Sequence, residues 1–568
     1  MKKPAFRTKS AEPDTAPAAR PVAGTPDGAP AAPKGSGAAR TTRSLLAAAV
    51  VLAAVYGIAA ARPPAAPAGT GGATATSAQV ERTTAVCPQP LQGLTGSTTL
   101  TAYTPPGAGE ATGGAGWLSD AAAPAAPPAT ASPGTPAPSS APTAPAATGT
   151  PAAPAAAPVA DKDTAPTDAR LTLARPGTPV TAPAANGDIA PGTGAVATGA
   201  LAPGFTVTQT TTVTEQRGQG LSGITCTPSG TSFWFAGAST AEGRNDYLSL
   251  VNAESAAAVV DIKLYGDKGL IENDATNGIT VAPGSSQSVL LPTVSKGQVA
   301  DLAVHVVVRS GRVGAALHAA DGSKGADWVP ASADPAPTQV LPGLPADTTG
   351  ARLIVWAPPE DDADLKIELS GKNGWFTPAG NETIHVKAGM TAAVDLGRIT
   401  RDEVAGLRVS PTDDKHPTPV VAGLRIDRAA ANGKSDAAWL AGTVPVGTRA
   451  TVADNRGGGV STLFLTSTGE AATVKVTASA GTGGGTAVTK EVQLPAGGTV
   501  ALPAPEPGGL NGGYALTVET VSGGPVAAAR MLAIPTKDVP MFTVQALRDD
   551  RSSVKVPRAS QDPGVVLR

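Results

Sequence analysis

The stretch Tyr247-Leu248-Ser249-Leu250-Val251-Asn252 has two similar stretches further along the chain. Residues 352–357 read RLIVWA and residues 462–467 read TLFLTS. Their shared leucines, Leu248, Leu353 and Leu463, are separated by 105 and 110 residues. Short apolar segments that return at a fixed interval are typical of equivalent β-strands in repeated domains.

Other features follow the same interval. Gly284, Gly389 and Gly497 each come after a short alternating segment and before another apolar strand. A unit of about 100 residues with such strands and turns is typical of a β-sandwich, whereas propeller blades need only about 40–50 residues. We predict an all-β chain of three tandem immunoglobulin-like β-sandwich repeats, each with its own core, over 205–330, 337–443 and 445–547.

The N-terminal region has the pattern of an exported protein. Residues 1–43 are polar and basic, and residues 44–61 contain no charge over eighteen positions. A span of this length crosses a bilayer as a helix, and basic residues before it favour a cytoplasmic N-terminus. We predict either a single transmembrane anchor or a cleaved signal peptide at 44–61, behind a disordered cytoplasmic tail, 1–43. In both cases the rest of the chain is extracytoplasmic.

Low-complexity sequence separates the N-terminal region from the repeats. Residues 119–168 contain no aromatic residue and no Leu, Ile or Met. Such a segment buries too little apolar surface to offset its conformational entropy. We therefore predict a disordered Ala/Pro/Thr-rich insert over 105–203, preceded by a linker with a first Cys-bearing strand region over 62–104. The end of the chain, 548–568, is also predicted to be disordered.

The two cysteines, Cys87 and Cys226, both follow the apolar span. In an oxidising compartment two cysteines favour one disulfide, although two unrelated thiols are the alternative. Neither cysteine has a histidine or a second cysteine at zinc-ligand spacing. We predict a Cys87–Cys226 disulfide and no metal or cofactor site.

The sequence contains few signals for catalysis. The four histidines, at 305, 318, 385 and 416, form no zinc motif, and no G-x-S-x-G nucleophile sequence occurs. The carboxylates at 360–364 are typical of a solvated turn. A net charge of −2 gives no electrostatic basis for binding nucleic acid. We expect no catalytic residue and no enzymatic activity.

Exposed aromatic side chains are the best candidates for binding. Trp375 and Phe376 follow the turn sequence Lys372-Asn373-Gly374, and we predict a possible surface binding role for this pair. Trp234 and Trp356 are further candidates for stacking on sugars. Trp328 and Trp439 end the first two repeats, which favours packing within a core or at a domain boundary.

The layout resembles an actinobacterial family known as domain of unknown function 5719. The resemblance rests on the anchor, Cys-Pro-Gln-Pro at Cys87, the second cysteine before Ser232-Phe233-Trp234-Phe235, and residues 322–328. It covers about 80–105 and 200–547 and implies exported or membrane-anchored status, without implying an activity.

Together these features predict a non-enzymatic membrane protein of the cell envelope with a structural or binding role. Its expected partners are the membrane, through a single span, and a cell-wall polymer or another envelope protein. The alternative is a carbohydrate-binding protein or a sugar-directed enzyme of the cell wall. If residues 44–61 are cleaved, the protein is secreted.

Overall fold

The computed structural model describes residues 76–90, 96–107, 113–121, 165–184, 190–213, 219–322, 324–536 and 538–556. The predicted tail, 1–43, and the predicted apolar span, 44–61, lie outside these ranges. Within them, no helix is both long enough and apolar enough to cross a membrane.

Strands dominate the described residues, which confirms the prediction of an all-β sandwich architecture. The strands form four two-sheet units, which we call modules 1 to 4 and define as residues 82–226, 230–329, 336–441 and 446–547. Two further strands, β1 (Thr76–Gln79) and β38 (Ser553–Val556), pair with each other in antiparallel register.

Module 1 is a sandwich that the repeat pattern did not predict. Its sheets have the orders β2-β7-β4-β5 and β6-β3-β8-β9. A 3-10 turn, Gly199–Leu201, follows β7. The strands are β2 (Arg82–Cys87), β3 (Gly96–Tyr103), β4 (Gly116–Asp120), β5 (Leu171–Leu173), β6 (Val180–Pro183), β7 (Thr193–Thr198), β8 (Thr206–Val213) and β9 (Gly220–Thr225).

This module changes three predicted boundaries. Strands β4 to β7 lie within 105–203, where a disordered insert was expected, and β2 and β3 lie within the expected linker, 62–104. Strands β8 and β9 belong to module 1 rather than to the first predicted repeat, 205–330. The core explains the difference: Leu100, Leu118 and Phe205 pack there with several alanines, so small residues fill one face of a real sandwich.

Module 2 has two sheets. One has the order β10-β16-β12-β13, and β14 also pairs with β12. The other has the order β15-β11-β17-β18. It contains the one short α-helix of the described residues, α1 (Leu291–Val294), and a 3-10 turn, Asp274–Thr276. The strands are β10 (Ser232–Ala238), β11 (Tyr247–Asn252), β12 (Ala258–Gly266), β13 (Gly269–Ile271), β14 (Ile279–Val281), β15 (Ser285–Leu290), β16 (Leu302–Ser310), β17 (Gly314–Asp321) and β18 (Gly325–Val329).

Module 3 repeats this arrangement. One sheet has the order β19-β25-β21-β22, and β23 also pairs with β21. The other sheet has the order β24-β20-β26-β27. Its strands are β19 (Gln339–Leu344), β20 (Gly350–Trp356), β21 (Ala363–Gly371), β22 (Gly374–Phe376), β23 (Thr383–Val386), β24 (Thr391–Asp395), β25 (Ala405–Pro411), β26 (Val421–Ala429) and β27 (Ser435–Ala441).

Module 4 has the orders β28-β35-β30-β32 and β33-β29-β36-β37, and β31 pairs with β34. Its strands are β28 (Arg449–Asn455), β29 (Ser461–Ser467), β30 (Ala472–Ala478), β31 (Gly484–Thr486), β32 (Val488–Leu494), β33 (Thr499–Pro503), β34 (Gly508–Asn511), β35 (Tyr514–Gly523), β36 (Val526–Ala533) and β37 (Phe542–Leu547). Strand β38 therefore lies within 548–568, where disorder was expected.

The strand order does not confirm immunoglobulin-like repeats. In an immunoglobulin sandwich the first strand pairs with the second. In module 2 the first strand, β10, instead pairs with β16, and the second, β11, lies between β15 and β17. Modules 3 and 4 repeat this order, so the four modules share a two-sheet architecture with their own connectivity.

The modules close into a ring. The last strand of each module is in contact with the last strands of its two neighbours, in the cyclic order β9, β18, β27, β37 and back to β9. All described residues fall in one compact unit. The four last strands therefore line a common axis, and each contributes to two module boundaries.

The cores are shared between neighbours, which differs from the expectation of separate repeats. Trp439 of module 3 packs in the core of module 2. Phe542 and Val544 of module 4 pack in the core of module 3. Leu221 of module 1 packs with residues of module 4, which closes the cycle.

Candidate functional site

The Cys87–Cys226 disulfide is present, with the two Cα atoms 4.6 Å apart, and this confirms the prediction. Both cysteines are buried in the core of module 1. The bond ties β2, the first strand of the module, to the residue that follows β9, its last strand. The disulfide therefore joins the two ends of module 1. The low-complexity sequence lies between the two cysteines in the chain.

The Cys-Pro-Gln-Pro sequence continues from the disulfide into module 2. Gln89 is only 3% exposed. Its backbone N–H donates to Ser249 Oγ at 3.1 Å, and its side-chain Oε1 accepts from Ser288 Oγ at 2.7 Å. Gln89 Nε2 donates to the carbonyl of Ala190 at 3.1 Å. This glutamine thus joins modules 1 and 2 through three hydrogen bonds.

Trp375, one of the two predicted binding residues, lies at the contact between modules 3 and 4. Its ring packs beneath the Arg408 guanidinium, 4.2 Å from the ring centroid, and against Gly497 of module 4. Glu368 accepts two hydrogen bonds from Arg408, at 3.0 and 2.8 Å, and holds it in place. Phe376, the second predicted residue, is 52% exposed and is the more accessible of the pair.

The other candidate tryptophans form an aromatic cluster between modules 2 and 3. The rings of Trp234 and His305 are stacked at 3.7 Å, and Trp356 lies 4.2 Å from Trp234. Tyr265 lies 5.2 Å from Trp356. Trp234 and Trp356 are almost fully buried, while Tyr265 and His305 are half-buried. One side of the cluster is therefore open to solvent.

The histidines are not brought together. His318 is buried, and its Nε2 lies 3.5 Å from Ser222 Oγ, which donates to the carbonyl of Ala326. Burial, with a smaller effect of Arg244, lowers the pKa of His318 to about 3. His385 is exposed, with Nδ1 2.8 Å from Asp364 Oδ1. In the part of the chain that the structure describes, no three His, Cys, Asp or Glu side chains form a metal-binding group.

Two small cavities lie at the boundary of modules 1 and 2. One, lined by Val86, Ile224 and Val251 among others, has a volume of about 10 Å³. The other, lined by Gln89 and His318 among others, has a volume of about 20 Å³. Such volumes hold about one water molecule each. Neither of these two cavities admits a substrate.

The axis of the ring carries the most unusual polar site, built on Asp436 of β27. The side chain is completely buried and accepts backbone N–H groups from all four modules. These donors are Phe542 at 2.9 Å, Ala437 at 2.9 Å, Leu221 at 3.5 Å, and Ala326. Burial raises the pKa of Asp436 to about 7, although the four hydrogen bonds oppose this shift.

A second buried acid, Asp327 of β18, lies near Asp436. Its Oδ1 accepts the backbone N–H of Gly223 at 2.9 Å and that of Trp328 at 2.7 Å. Burial, together with the nearby charge of Asp436, raises the pKa of Asp327 well above the ordinary value. Asp327 therefore links modules 1 and 2.

The sequence offered only an indirect signal for these acids. Asp327 and Asp436 lie just before Trp328 and Trp439, the tryptophans that mark the ends of two repeats. An isolated aspartate in a strand is typical of an exposed position. Only the ring arrangement shows that four strands supply N–H donors to one carboxylate.

A family model described as a family of unknown function, DUF5719, matches residues 178–505. The match begins within module 1 and ends within module 4, and it covers more than half of the 568 residues. No curated protein and no solved structure matches the chain. On the strength of the family match, the chain belongs to the family of unknown function DUF5719.

Proposed function

We propose that this chain is a non-enzymatic, membrane-anchored protein of the cell envelope, whose ring of modules lies outside the cytoplasm in a structural or binding role. The Cys87–Cys226 disulfide is the observation that carries the proposal. Disulfides persist in oxidising compartments and are rare in the cytosol. The uncharged stretch at 44–61, with basic residues before it, supplies the route to that compartment.

The ring supports the structural or binding part of the proposal. Neighbouring modules share core residues, and Asp436 connects all four. A rigid surface loses little conformational entropy when it binds a partner. Partners that suit such a surface are a cell-wall polymer or another envelope protein.

The location is tested by adding protease to intact, wall-stripped cells and probing an epitope placed after residue 547. We expect the epitope and the region 205–547 to be digested, while a cytoplasmic marker protein survives. Full protection of the region in intact cells, with digestion after lysis, would contradict the proposal. Recovery of the protein from the membrane or from the medium distinguishes an anchor from a cleaved signal.

A carbohydrate-binding role is the second candidate, and one observation favours it. Tyr265 and His305 form the open side of the aromatic cluster between modules 2 and 3. Aromatic rings with an exposed edge or face are common anchors in binding surfaces.

A further inference from the structure

We propose that module 2 binds a saccharide chain on the outer face of its β10-β16-β12-β13 sheet. We call this surface the open face and define it by Lys263, Tyr265, Leu270 and His305, with Glu360 of module 3 at its edge. The inference rests on the binding role proposed above and names its ligand class and its residues.

Strand register places these side chains on one face of the sheet. Tyr265 is directly opposite Leu270, and Lys263 is directly opposite His305. His305 is in turn opposite Trp234 on β10. Residues that are directly opposite in an antiparallel pair project to the same side. The open face is therefore one surface across three strands, β13, β12 and β16.

Module 3 covers only part of this face. Ile354, Trp356 and Val421 pack over Trp234 and the neighbouring alanines of module 2. The remainder stays accessible: Leu270 is 49% exposed, Lys263 is exposed, and Tyr265 and His305 are half-buried. Exposed apolar surface with a polar rim often marks a binding site.

The buried tryptophans hold the accessible rings in place. His305 lies parallel to Trp234, with 9° between the ring planes, and its Nε2 lies 2.9 Å from Ser232 Oγ. Tyr265 packs against Trp356. A ligand that touches Tyr265 and His305 would thus meet rings that are already ordered, which lowers the entropic cost of binding.

Polar groups of the open face have capacity left for a ligand. Among the described residues, neither Lys263 nor Glu360 forms a salt bridge. Burial, with a smaller effect of Lys263, lowers the pKa of His305 to about 4, so the ring is neutral near pH 7. Burial and the nearby charge of Glu360 raise the pKa of Tyr265, which keeps its hydroxyl protonated. The face thus presents a cation, an anion, an imidazole and a phenol.

This mixture suits a saccharide better than a peptide helix. A pyranose has C–H faces that pack on aromatic rings and hydroxyl edges that both donate and accept hydrogen bonds. On the open face, Lys263 lies directly opposite His305, and the charge of Glu360 acts on Tyr265. An amphipathic peptide helix needs a continuous apolar groove, and Lys263 interrupts the apolar surface between Leu270 and His305.

The purified full chain is titrated by calorimetry with three linear hexasaccharides, made of β-1,4-linked N-acetylglucosamine, β-1,3-linked glucose or α-1,6-linked mannose. We expect at least one to bind with a Kd below about 1 mM. Tyr265→Ala and Lys263→Ala should each raise that Kd about tenfold or more. Tyr265→Phe, which keeps the ring, should retain more of the affinity than Tyr265→Ala.

Val521→Ala is the matched control, because Val521 is a large apolar residue of β35 in module 4 that is 54% exposed and lies outside the open face. Its Kd should equal that of the unaltered chain. Because Lys263 is exposed, Lys263→Ala should test the site without disturbing the fold. An unchanged thermal unfolding midpoint of the variant checks that the fold is kept.

Two results would overturn the saccharide site. One is the absence of binding by all three sugars up to about 10 mM. The other is binding that Val521→Ala weakens as much as Tyr265→Ala and Lys263→Ala do. If the sugars fail while protease still digests 205–547 from intact cells, the site is rejected and the proposed location stands.

Discussion

Asp436 Oδ2 accepts the backbone N–H of Phe542 at 2.9 Å, so an acid of module 3 holds the first residue of the last strand of module 4. The same carboxylate accepts N–H groups from Leu221 and Ala326, in modules 1 and 2. Buried N–H groups need acceptors, because an unpaired one costs about 1–3 kcal/mol. One side chain thus satisfies donors from four modules where their last strands meet.

A glycine sets the distance between modules 2 and 3. A Cβ atom on Gly423 of β26 would collide with the carbonyl oxygen of Ala236 on β10. Because that obstacle is backbone, Gly423→Ala should destabilise the protein by about 1–3 kcal/mol through overpacking. Urea unfolding measures the loss as a lower midpoint.

Gly469→Ala is the matched control, since a Cβ there meets no atom within 4 Å and the backbone is not in the left-handed region. Its midpoint should change little. Equal shifts in the two variants would argue against close contact between β10 and β26.

The pH dependence of stability follows from buried acids and histidines. Burial raises the pKa of Asp436 to about 7 and that of Asp246 to about 6, from an ordinary value of 3.8. Unfolding therefore releases protons, and these acids contribute stability that is fully present below about pH 4 and lost as the pH rises through the folded pKa. His318 and His305, whose pKa values are lowered to about 3 and about 4, act in the opposite direction below about pH 6.5.

Above about pH 6.5 the opposing effect of the two histidines fades, because their imidazoles become neutral in the unfolded chain as well. The thermal midpoint should therefore fall between pH 6.5 and pH 8 at constant ionic strength. Asp436→Asn should lower the midpoint at both pH values but show a smaller decline between them. A midpoint that rises over this interval, or an unchanged slope in the variant, would contradict the assignment to Asp436.

The disulfide should contribute strongly to the stability of module 1. Cys87 and Cys226 are separated by 139 positions, and closing so long a loop stabilises a fold by up to about 5 kcal/mol in the chain-entropy model. Cys87→Ser should lower the unfolding midpoint and increase hydrogen exchange in β2 and β9. The double variant with Cys226→Ser should resemble the single one. If both cysteines of the unreduced chain react with a thiol reagent after denaturation, the bond is absent.

Replacing Trp439 should affect two modules. The residue belongs to β27 of module 3, but its ring packs in the core of module 2 beside Gly237. Trp439→Ala should cost about 3–5 kcal/mol, as for other buried aromatic residues. Hydrogen exchange should increase in β10 as well as in β27. A change confined to module 3 would show that the module 2 contact contributes little.

The spacing of Leu248, Leu353 and Leu463 marks equivalent strands, β11, β20 and β29, because these strands carry large apolar residues. Module 1 was missed for the opposite reason. Much of its core consists of alanines, such as Ala195 and Ala197, and its strands are separated by long low-complexity sequence. Small residues give a weak apolar pattern, even where a second sheet covers them.

The surroundings of the predicted binding residues could likewise not be predicted from the sequence. The turn predicted before Trp375 is present between β21 and β22, but the contact with Gly497 depends on a neighbouring module more than 100 positions away. The role of Asp436 depends likewise on three other modules. Local patterns predict strands and turns, whereas contacts between modules follow from strand order and ring closure, which the repeat interval alone does not determine.

Hydrogen exchange of the Asp436→Ala variant tests whether one carboxylate joins the four modules. The variant is compared with Asp413→Ala, which removes an exposed acid of module 3. We predict that Asp436→Ala loses protection in all four axial strands, β9, β18, β27 and β37, while Asp413→Ala exchanges like the unaltered chain. Loss of protection in β27 alone, with β9, β18 and β37 unchanged, would contradict the claim that the Asp436 carboxylate joins the four modules at the axis of the ring.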